Sequence, residues 1–250
     1  MTDDQRSPVK QRRLGDSVKI PGNYQWLAEH SRNPIQRFWH YTKKSAIDAL
    51  CPPTRNSFAL DVGCGSGVIS NYLSSKYGAK VIAIDGNSEA IDFGKAHFPA
   101  VDFRCALVDD DFDLDEEIGY VFCLELIEHI HEQQASELLH NFHRLLKPGG
   151  KLFLTTPNYR SAWPFIEKAM DSLGLAPPLA EHQHVAFYSP AKLVELVEKS
   201  GLHVETVRTN CFLAPWLSPL SLRLARWLDQ KELGMKSRVG SIIVLVATKR

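Results

Sequence analysis

The sequence predicts an α/β fold in which helices cover both faces of a mostly parallel sheet. From residue 57 to residue 157, short apolar runs rich in β-branched residues alternate with segments of helical period, as expected of a parallel sheet wrapped by helices. The chain has 250 residues, of which 44% are hydrophobic, enough to bury one substantial core. One main domain with insertions is therefore expected.

Seven segments are predicted as strands, because each is short and largely apolar and is bounded by turn or helix signals. Five lie in the regular part of the chain and two follow it. They span residues 58–62, 80–85, 101–107, 120–126, 151–156, 202–210 and 241–250.

The segments between these strands predict helices with recognisable ends. Gly78 is predicted to end the first helix, and Ser88 to cap the second. Residues 132–146 carry an apolar face, and Lys-Pro-Gly-Gly at 147–150 is predicted to end that helix before the fifth strand. The Ser-Pro pair at 189–190 predicts a further helix start.

Two stretches interrupt the regular pattern and suggest the domain organisation. Residues 1–56 are predicted to form an N-terminal lid or helical segment, and residues 57–250 the main domain. Insertions are predicted at about 158–184 and 211–238, where the alternation of strands and helices weakens. These two insertions and the N-terminal segment are expected to cover the sheet edge.

Charge and cysteine usage indicate the compartment. The first residues are polar, and no later stretch of about 18 residues lacks both charge and proline. The five cysteines are spread along the chain without a Cys-x-x-Cys pair, which disfavours a disulfide framework and a cysteine zinc site. A cytoplasmic location is therefore expected.

The second insertion predicts an amphipathic helix over residues 212–228. A membrane interface or a lipid-like acceptor would suit such a helix, with the protein then peripheral to the membrane. Burial as a cap on its own domain is the alternative. One helical face carries Trp216, Leu220, Leu224, Trp227 and Leu228, while Ser221, Arg223 and Arg226 lie elsewhere.

A glycine-rich turn follows the first strand and opens directly into a helix. Its sequence, Asp-Val-Gly-Cys-Gly-Ser-Gly at 61–67, lets the backbone and the free N–H groups of the helix approach a ligand closely. A dinucleotide fingerprint would need a third glycine where Val68 stands, which counts against NAD and FAD. Asp85 ends the second strand, where an acid typically accepts hydrogen bonds from ribose hydroxyls.

These residues resemble the class I S-adenosylmethionine (SAM) dependent methyltransferases. The resemblance is strong over about 55–158 and implies SAM as cofactor. It also implies a Rossmann-like, doubly wound, mostly parallel seven-stranded sheet in which the segment at 241–250 is the antiparallel last strand. The segments that carry it are LDVGCGSG at 60–67, AIDGN at 83–87, YVFCLELIEHI at 120–130, LLKPGG at 145–150 and LFLTTPN at 152–158.

The resemblance also implies which residues border SAM. The glycines and Cys64 would line its amino-acid part, Asp61 would hold its amino group, and Asp85 with Gly86 would bind the ribose. The residues beside the adenine ring of SAM would lie just after the third strand. Those beside its methyl group would lie near the end of the fourth strand. The implied set is Asp61, Gly63, Cys64, Gly65, Gly67, Asp85, Gly86, Ala106, Leu107, Cys123 and Leu124.

Three titratable residues at the end of the predicted fourth strand and just beyond it form the predicted catalytic group. Glu125, Glu128 and His129 could remove a proton from an acceptor hydroxyl or hold a metal ion. Their spacing resembles two branches of the family, ubiquinone-biosynthesis and small-RNA 3′-end 2′-O-methyltransferases, which implies a divalent ion such as Mg²⁺. The candidate ligands are Glu125, Glu128, His129 and either His182 or His184. The alternative is that the Glu-His pair only forms the pocket wall.

The function predicted from these features is methyl transfer from SAM to a hydroxyl group of a small or lipid-linked acceptor. Such an acceptor would be a quinone precursor, a glycolipid or a secondary-metabolite sugar. The alternatives are a metal-assisted RNA 2′-O-methyltransferase and a non-catalytic SAM-binding subunit. Nucleic acid is disfavoured because 29 Lys plus Arg balance 29 Asp plus Glu.

Overall fold

A computed structural model describes residues 21–161, 184–235 and 238–250. In these parts of the chain, the sheet has seven strands in the order β3-β2-β1-β4-β5-β7-β6. Strand β7 is antiparallel to β5 and β6, and the other neighbours are parallel. The predicted fold is thereby confirmed. The strands are β1 Phe58–Val62, β2 Lys80–Asp85, β3 Asp102–Cys105, β4 Ile118–Leu124, β5 Leu146–Pro157, β6 His203–Asn210 and β7 Ile242–Thr248.

Eight helices flank the sheet in the described residues, and a 3-10 turn at Ile127–His129 follows β4. Helices α3 to α6 connect the strands, while α1 and α2 precede β1. Helices α7 and α8 lie between β6 and β7. The bounds are α1 Tyr24–Glu29, α2 Pro34–Leu50, α3 Val68–Tyr77, α4 Ser88–His97, α5 Glu132–Leu145, α6 Pro190–Lys199, α7 Ala214–Leu217 and α8 Leu222–Gly234.

Several predicted element ends are corrected by the structure. The N-cap of α4 is Asn87, not Ser88, because the Asn87 side chain accepts hydrogen bonds from the N–H groups of the first turn. Strand β4 ends before Glu125, whose positive φ of 53° turns the chain out of the sheet. The turn sequence at 147–150 does end α5, but it already belongs to β5.

The core lies on both faces of the sheet, because successive residues of the central strands point to opposite sides. Leu60 of β1 packs with α5 and α6 on one face, where Phe142 is fully buried. Ala59 packs on the other face with α2, α3, α4 and α8, around Phe38 and Phe122. This double layer holds the carboxyl ends of β1, β2, β4 and β5 at one edge.

The predicted amphipathic helix is divided in the structure. Pro219 lies in the break between α7 and α8, and the Ser221 hydroxyl accepts a hydrogen bond from Leu224 N to begin α8. Leu220 therefore precedes the helix, where it is 83% exposed. The inner face of α8 packs through Ala225 and Leu233, which are buried.

A buried polar network fixes the orientation of α8. The Asp229 carboxylate accepts hydrogen bonds from Thr42 Oγ1 of α2, at 2.7 Å, and from Asn210 Nδ2 of β6, at 3.3 Å. One turn further, Glu232 accepts bonds from backbone N–H groups at residues 212–214 and so holds the start of α7. These bonds hold Asp229 and Glu232 on the inner face of α8, beside Ala225 and Leu233, and leave Trp227 on the outer face.

Stability should depend on the protonation of Asp229. Burial raises its pKa from the ordinary 3.8 to about 6, so folding favours the protonated acid and this contribution is lost as pH rises from about 4 to 6. From pH 5 to pH 8 the parent should lose this contribution and Asp229→Asn should not. We therefore expect the free energy of unfolding of the variant, relative to that of the parent, to rise by about 1 kcal/mol over this range. Urea unfolding at both pH values measures this, with exposed Asp92→Asn as control. An equal difference at the two pH values would contradict it.

Candidate active site

The glycine-rich loop joins the end of β1 to the start of α3. Its glycines have positive φ angles, 72° at Gly63, 51° at Gly65 and 80° at Gly67, which side-chain-bearing residues rarely adopt. Gly63 N and Cys64 N both donate to Ile84 O, at 2.8 and 3.1 Å. These bonds fix the loop against the end of β2.

Asp85 lies at the carboxyl end of β2 and links two turns. Its Oδ2 accepts a hydrogen bond from Gly65 N, and its Oδ1 accepts one from Asn87 N, each at 2.8 Å. A carboxylate can accept about four hydrogen bonds, so Asp85 retains capacity for ligand hydroxyls. Gly86 beside it is exposed.

Asp61 is more enclosed than its predicted role suggests. It is buried at the end of β1, and its Oδ2 accepts a hydrogen bond from Ser70 Oγ at 2.5 Å. Burial raises the pKa of Asp61 to about 7, and the charge of Asp85 adds to this, while the bond from Ser70 opposes it. Asp61 is therefore only partly ionised near neutral pH.

The remaining predicted cofactor residues lie at the same edge with different exposures. Ala106 and Leu107 are half-buried just after β3, and Ala106 N donates to Asp85 O at 3.2 Å. Cys123 is fully buried, and burial raises the pKa of its thiol. Leu124, at the end of β4, is 7% exposed. Their contacts with a cofactor stay predictions.

Threonines of β5 hold the two glutamates beyond β4. Thr155 Oγ1 donates to Glu125 Oε1 at 2.9 Å, and Thr156 Oγ1 donates to Glu128 Oε2 at 3.0 Å. Glu125 N also donates to Thr155 O at 3.0 Å. The parallel pairing of β4 with β5 therefore orients both side chains.

Backbone hydrogen bonds bring a distant histidine to this place. Val185 N and Ala186 N donate to Glu128 O, at 2.8 and 3.1 Å, and Tyr159 N donates to Tyr188 O at 3.0 Å. The segment that begins at His184 is thereby fixed across the end of β5.

Glu128, His129 and His184 converge on one point. Each offers one ligand atom, and these atoms all lie within 4.8 Å of one another. The two imidazole ring centroids are 4.8 Å apart, and Tyr159 Oη lies 2.6 Å from His184 Nδ1. Of the candidate ligands, the structure groups these three. Glu125 instead accepts a hydrogen bond from Thr155, and His182 lies outside the described residues.

The electrostatics of this group centre on Glu128. Its side chain is 1% exposed, and burial, followed by the charge of Glu125, raises its pKa well above the ordinary value. A buried carboxyl group beside two imidazoles either keeps its proton or pairs with a cation. The arrangement can therefore accept a proton or hold a metal ion.

Sequence reasoning missed three residues at the end of β5 and just after it. Thr155 and Thr156 contact Glu125 and Glu128 of the predicted catalytic group, and Tyr159, two residues beyond β5, contacts His184. The run Thr-Thr-Pro-Asn-Tyr at 155–159 carried a usable signal, because ligand sites of open α/β sheets lie at the carboxyl ends of strands.

Comparison with known proteins identifies related sequences. A family profile described as a methyltransferase domain matches residues 32–207. A ubiquinone biosynthesis O-methyltransferase of Xanthomonas euvesicatoria is 30% identical over 193 residues, which cover 75% of this chain and 76% of that protein. The corresponding protein of Xanthomonas axonopodis is 29% identical over 207 residues, or 80% of this chain and 84% of that protein.

Solved structures share the fold at lower identity. A TehB-like SAM-dependent methyltransferase of Corynebacterium glutamicum superposes with a TM-score of 0.59 at 20% identity, covering 91% of this chain and 95% of that one. Phosphoethanolamine N-methyltransferase 2 of Haemonchus contortus, in complex with SAM, gives 0.64 at 15% identity, covering 97% of this chain and 61% of that one. The chain therefore shares its architecture with solved SAM-dependent methyltransferases.

Proposed function

Because the chain belongs to the SAM-dependent methyltransferase family, we propose that it methylates a hydroxyl of a small or lipid-linked acceptor of the quinone-precursor type. The observation that carries this proposal is the convergence of Glu128, His129 and His184 within 4.8 Å. Methyl transfer to oxygen needs an aligned hydroxyl whose proton is removed or weakened. The names of the similar proteins favour O-methylation.

SAM would bind along the carboxyl edge of β1, β2 and β4. The positive-φ glycines permit close approach to its amino-acid part, and the remaining acceptor capacity of Asp85 suits two ribose hydroxyls. This orientation would direct the sulfonium methyl towards the end of β4, where Glu125 begins the predicted catalytic segment. The donor and the proton-accepting group would then lie on adjacent strand ends.

His129 would accept the proton of the acceptor hydroxyl. An imidazole titrates near neutral pH and is therefore suited to general-base catalysis. Glu128, held by Thr156, lies within the same group and would stabilise the imidazolium that forms. His184 would position the acceptor or share the proton.

The three grouped residues also fit a divalent metal ion. They offer one carboxylate and two imidazoles, a set that suits Mn²⁺, Fe²⁺ or Zn²⁺ better than Mg²⁺, which prefers oxygen ligands. A bound ion would supply Lewis-acid lowering of the acceptor hydroxyl pKa. It would also compensate the buried Glu128 carboxylate. We therefore propose a divalent ion other than Mg²⁺ as the natural occupant.

A lipid-linked acceptor would suit the exposed apolar face beside α8. No helix among the described residues is long and apolar enough to cross a membrane, but Trp216, Leu220 and Trp227 are 57%, 83% and 55% exposed. Tryptophan prefers membrane interfaces. Arg223 is exposed beside them, whereas Arg226 stacks over Tyr41 at 4.4 Å.

We expect the protein to bind anionic lipid vesicles through this face. Trp227→Glu should reduce co-sedimentation with vesicles, because it places a charge among the apolar side chains that would enter the interface. Leu27→Glu, which changes an exposed leucine of α1, is the control. Absence of sedimentation by the parent protein would refute the membrane contact.

The acceptor class is tested by transfer of a labelled methyl group from SAM. A catechol, the matched phenol with one hydroxyl, and an RNA duplex with free 3′ ends are offered with Mn²⁺, with Mg²⁺ and with EDTA. We expect methylation of the catechol that is greatest with Mn²⁺. Transfer to the RNA ends alone would favour the RNA alternative, and binding of SAM without transfer to any acceptor would favour a non-catalytic subunit.

A further inference from the structure

The amide of Gln25, on α1, lies directly over the glycine-rich loop. A Cβ atom built at Gly65 would come within 2.7 Å of Gln25 Cδ, Oε1 and Nε2. A side chain at position 65 would have to displace this amide. The side chain of Gln25 therefore reaches the loop predicted to border the cofactor.

The carbonyl oxygen of this amide is an unsatisfied acceptor. Gln25 Oε1 is buried and has no hydrogen-bond partner within the described part of the chain. Buried polar atoms in folded proteins nearly always have partners, and leaving one unpaired is unfavourable. An unpaired oxygen beside the loop can accept a hydrogen bond from a donor that the ligand supplies.

The position of Gln25 is set by contacts on either side of it. Trp26 N donates to Ser66 Oγ at 3.1 Å, and a Cβ at Gly22 would lie only 2.5 Å from the backbone of Glu89. The segment from Gly22 to Trp26 is thus packed against both the loop and the start of α4. The contacts of Gly22 and Trp26 therefore hold Gln25 next to the loop.

The chemistry of the amino-acid part of SAM suits this oxygen. That part carries an α-ammonium group with three N–H donors. Asp61, the residue implied for this group, is buried and already accepts a bond from Ser70. The three N–H donors of the ammonium can bond to a further acceptor besides Asp61. A neutral carbonyl oxygen over Gly65 can provide it.

We propose that Gln25 is a cofactor-binding residue whose side-chain carbonyl oxygen accepts a hydrogen bond from the α-ammonium of SAM. Helix α1 then closes over the amino-acid part of the cofactor. This inference rests on the proposed function, because it requires SAM at the glycine-rich loop.

The test compares two ligands by calorimetry on the full chain. S-adenosylhomocysteine (SAH) has the ammonium, whereas 5′-methylthioadenosine lacks the whole amino-acid part. Gln25→Met keeps the length of the side chain and removes the acceptor, and it should weaken SAH binding about tenfold. Binding of 5′-methylthioadenosine should not change. Gln25→Glu, which keeps an acceptor, should restore SAH affinity.

The outcomes separate this inference from the proposed function. Failure of the parent protein to bind either ligand would overturn the proposed function. Normal SAH affinity in Gln25→Met would overturn the inference alone. Tighter binding by that variant would also overturn it, since Gln25 would then occupy the cofactor space. Equal weakening of both ligands would assign Gln25 a structural role only, and thermal melting of the free variants checks that they fold.

Discussion

Replacing His129 with alanine should lower the rate of methyl transfer by about 100- to 10,000-fold, the usual contribution of a general base. His129 lies in the 3-10 turn after β4, and its imidazole is within 4.8 Å of ligand atoms of Glu128 and His184. The loss should appear in kcat, because the group acts on the acceptor proton and not on the cofactor. Turnover of the best acceptor, measured with saturating SAM, checks this.

Two controls make the His129 result specific. His140→Ala removes an exposed histidine of α5 that contacts only its own helix in the described hydrogen bonds, and turnover should not change. SAH affinity should also be equal in His129→Ala and the parent protein. Near-parental turnover in His129→Ala would contradict the assignment of His129 as base or ligand.

Replacing Asp85 with alanine should weaken SAH binding by about 10- to 100-fold. Hydrogen bonds to charged groups contribute about 1.5–3 kcal/mol each, and about 1.4 kcal/mol corresponds to tenfold in affinity. Asp85 also orders the loop, since it accepts bonds from Gly65 N and Asn87 N. Calorimetric titration with SAH measures the change.

An exposed aspartate at the amino end of β3 is the control for Asp85, which lies at the carboxyl end of β2. Asp102 begins β3 and pairs with Arg104, so Asp102→Ala should bind SAH as the parent does. Asp85→Asn retains an oxygen acceptor and should lose less affinity than Asp85→Ala. Unchanged affinity in Asp85→Ala would refute its predicted contact with the ribose.

Local patterns were sufficient to predict most of the sheet and the cofactor loop. Apolar strand segments, glycines at 63, 65 and 67, and an acid at the end of β2 depend on neighbours in the chain. The errors lie at element ends and in the helix predicted at 212–228, which is two helices in the structure. Asn87 and Ser88 are both acceptable caps, and only the backbone path at the helix start decides between them.

Features that depend on contacts between distant segments could not be predicted from local patterns. His184 reaches His129 because residues 185–186 bond to the backbone of Glu128. Gln25 lies over Gly65, 40 residues away, with no periodic signal. The outward tryptophan face of α8 follows from the buried bond between Asp229 and Thr42, which is 187 residues away.

Calorimetric titration of the purified protein with SAH tests the central claim most directly, because every proposed role begins with SAM at the glycine-rich loop. We predict binding of one SAH per chain, with an affinity that falls in Asp85→Ala and persists in His129→Ala. Absence of binding heat, together with absence of thermal stabilisation by SAH, would contradict the account.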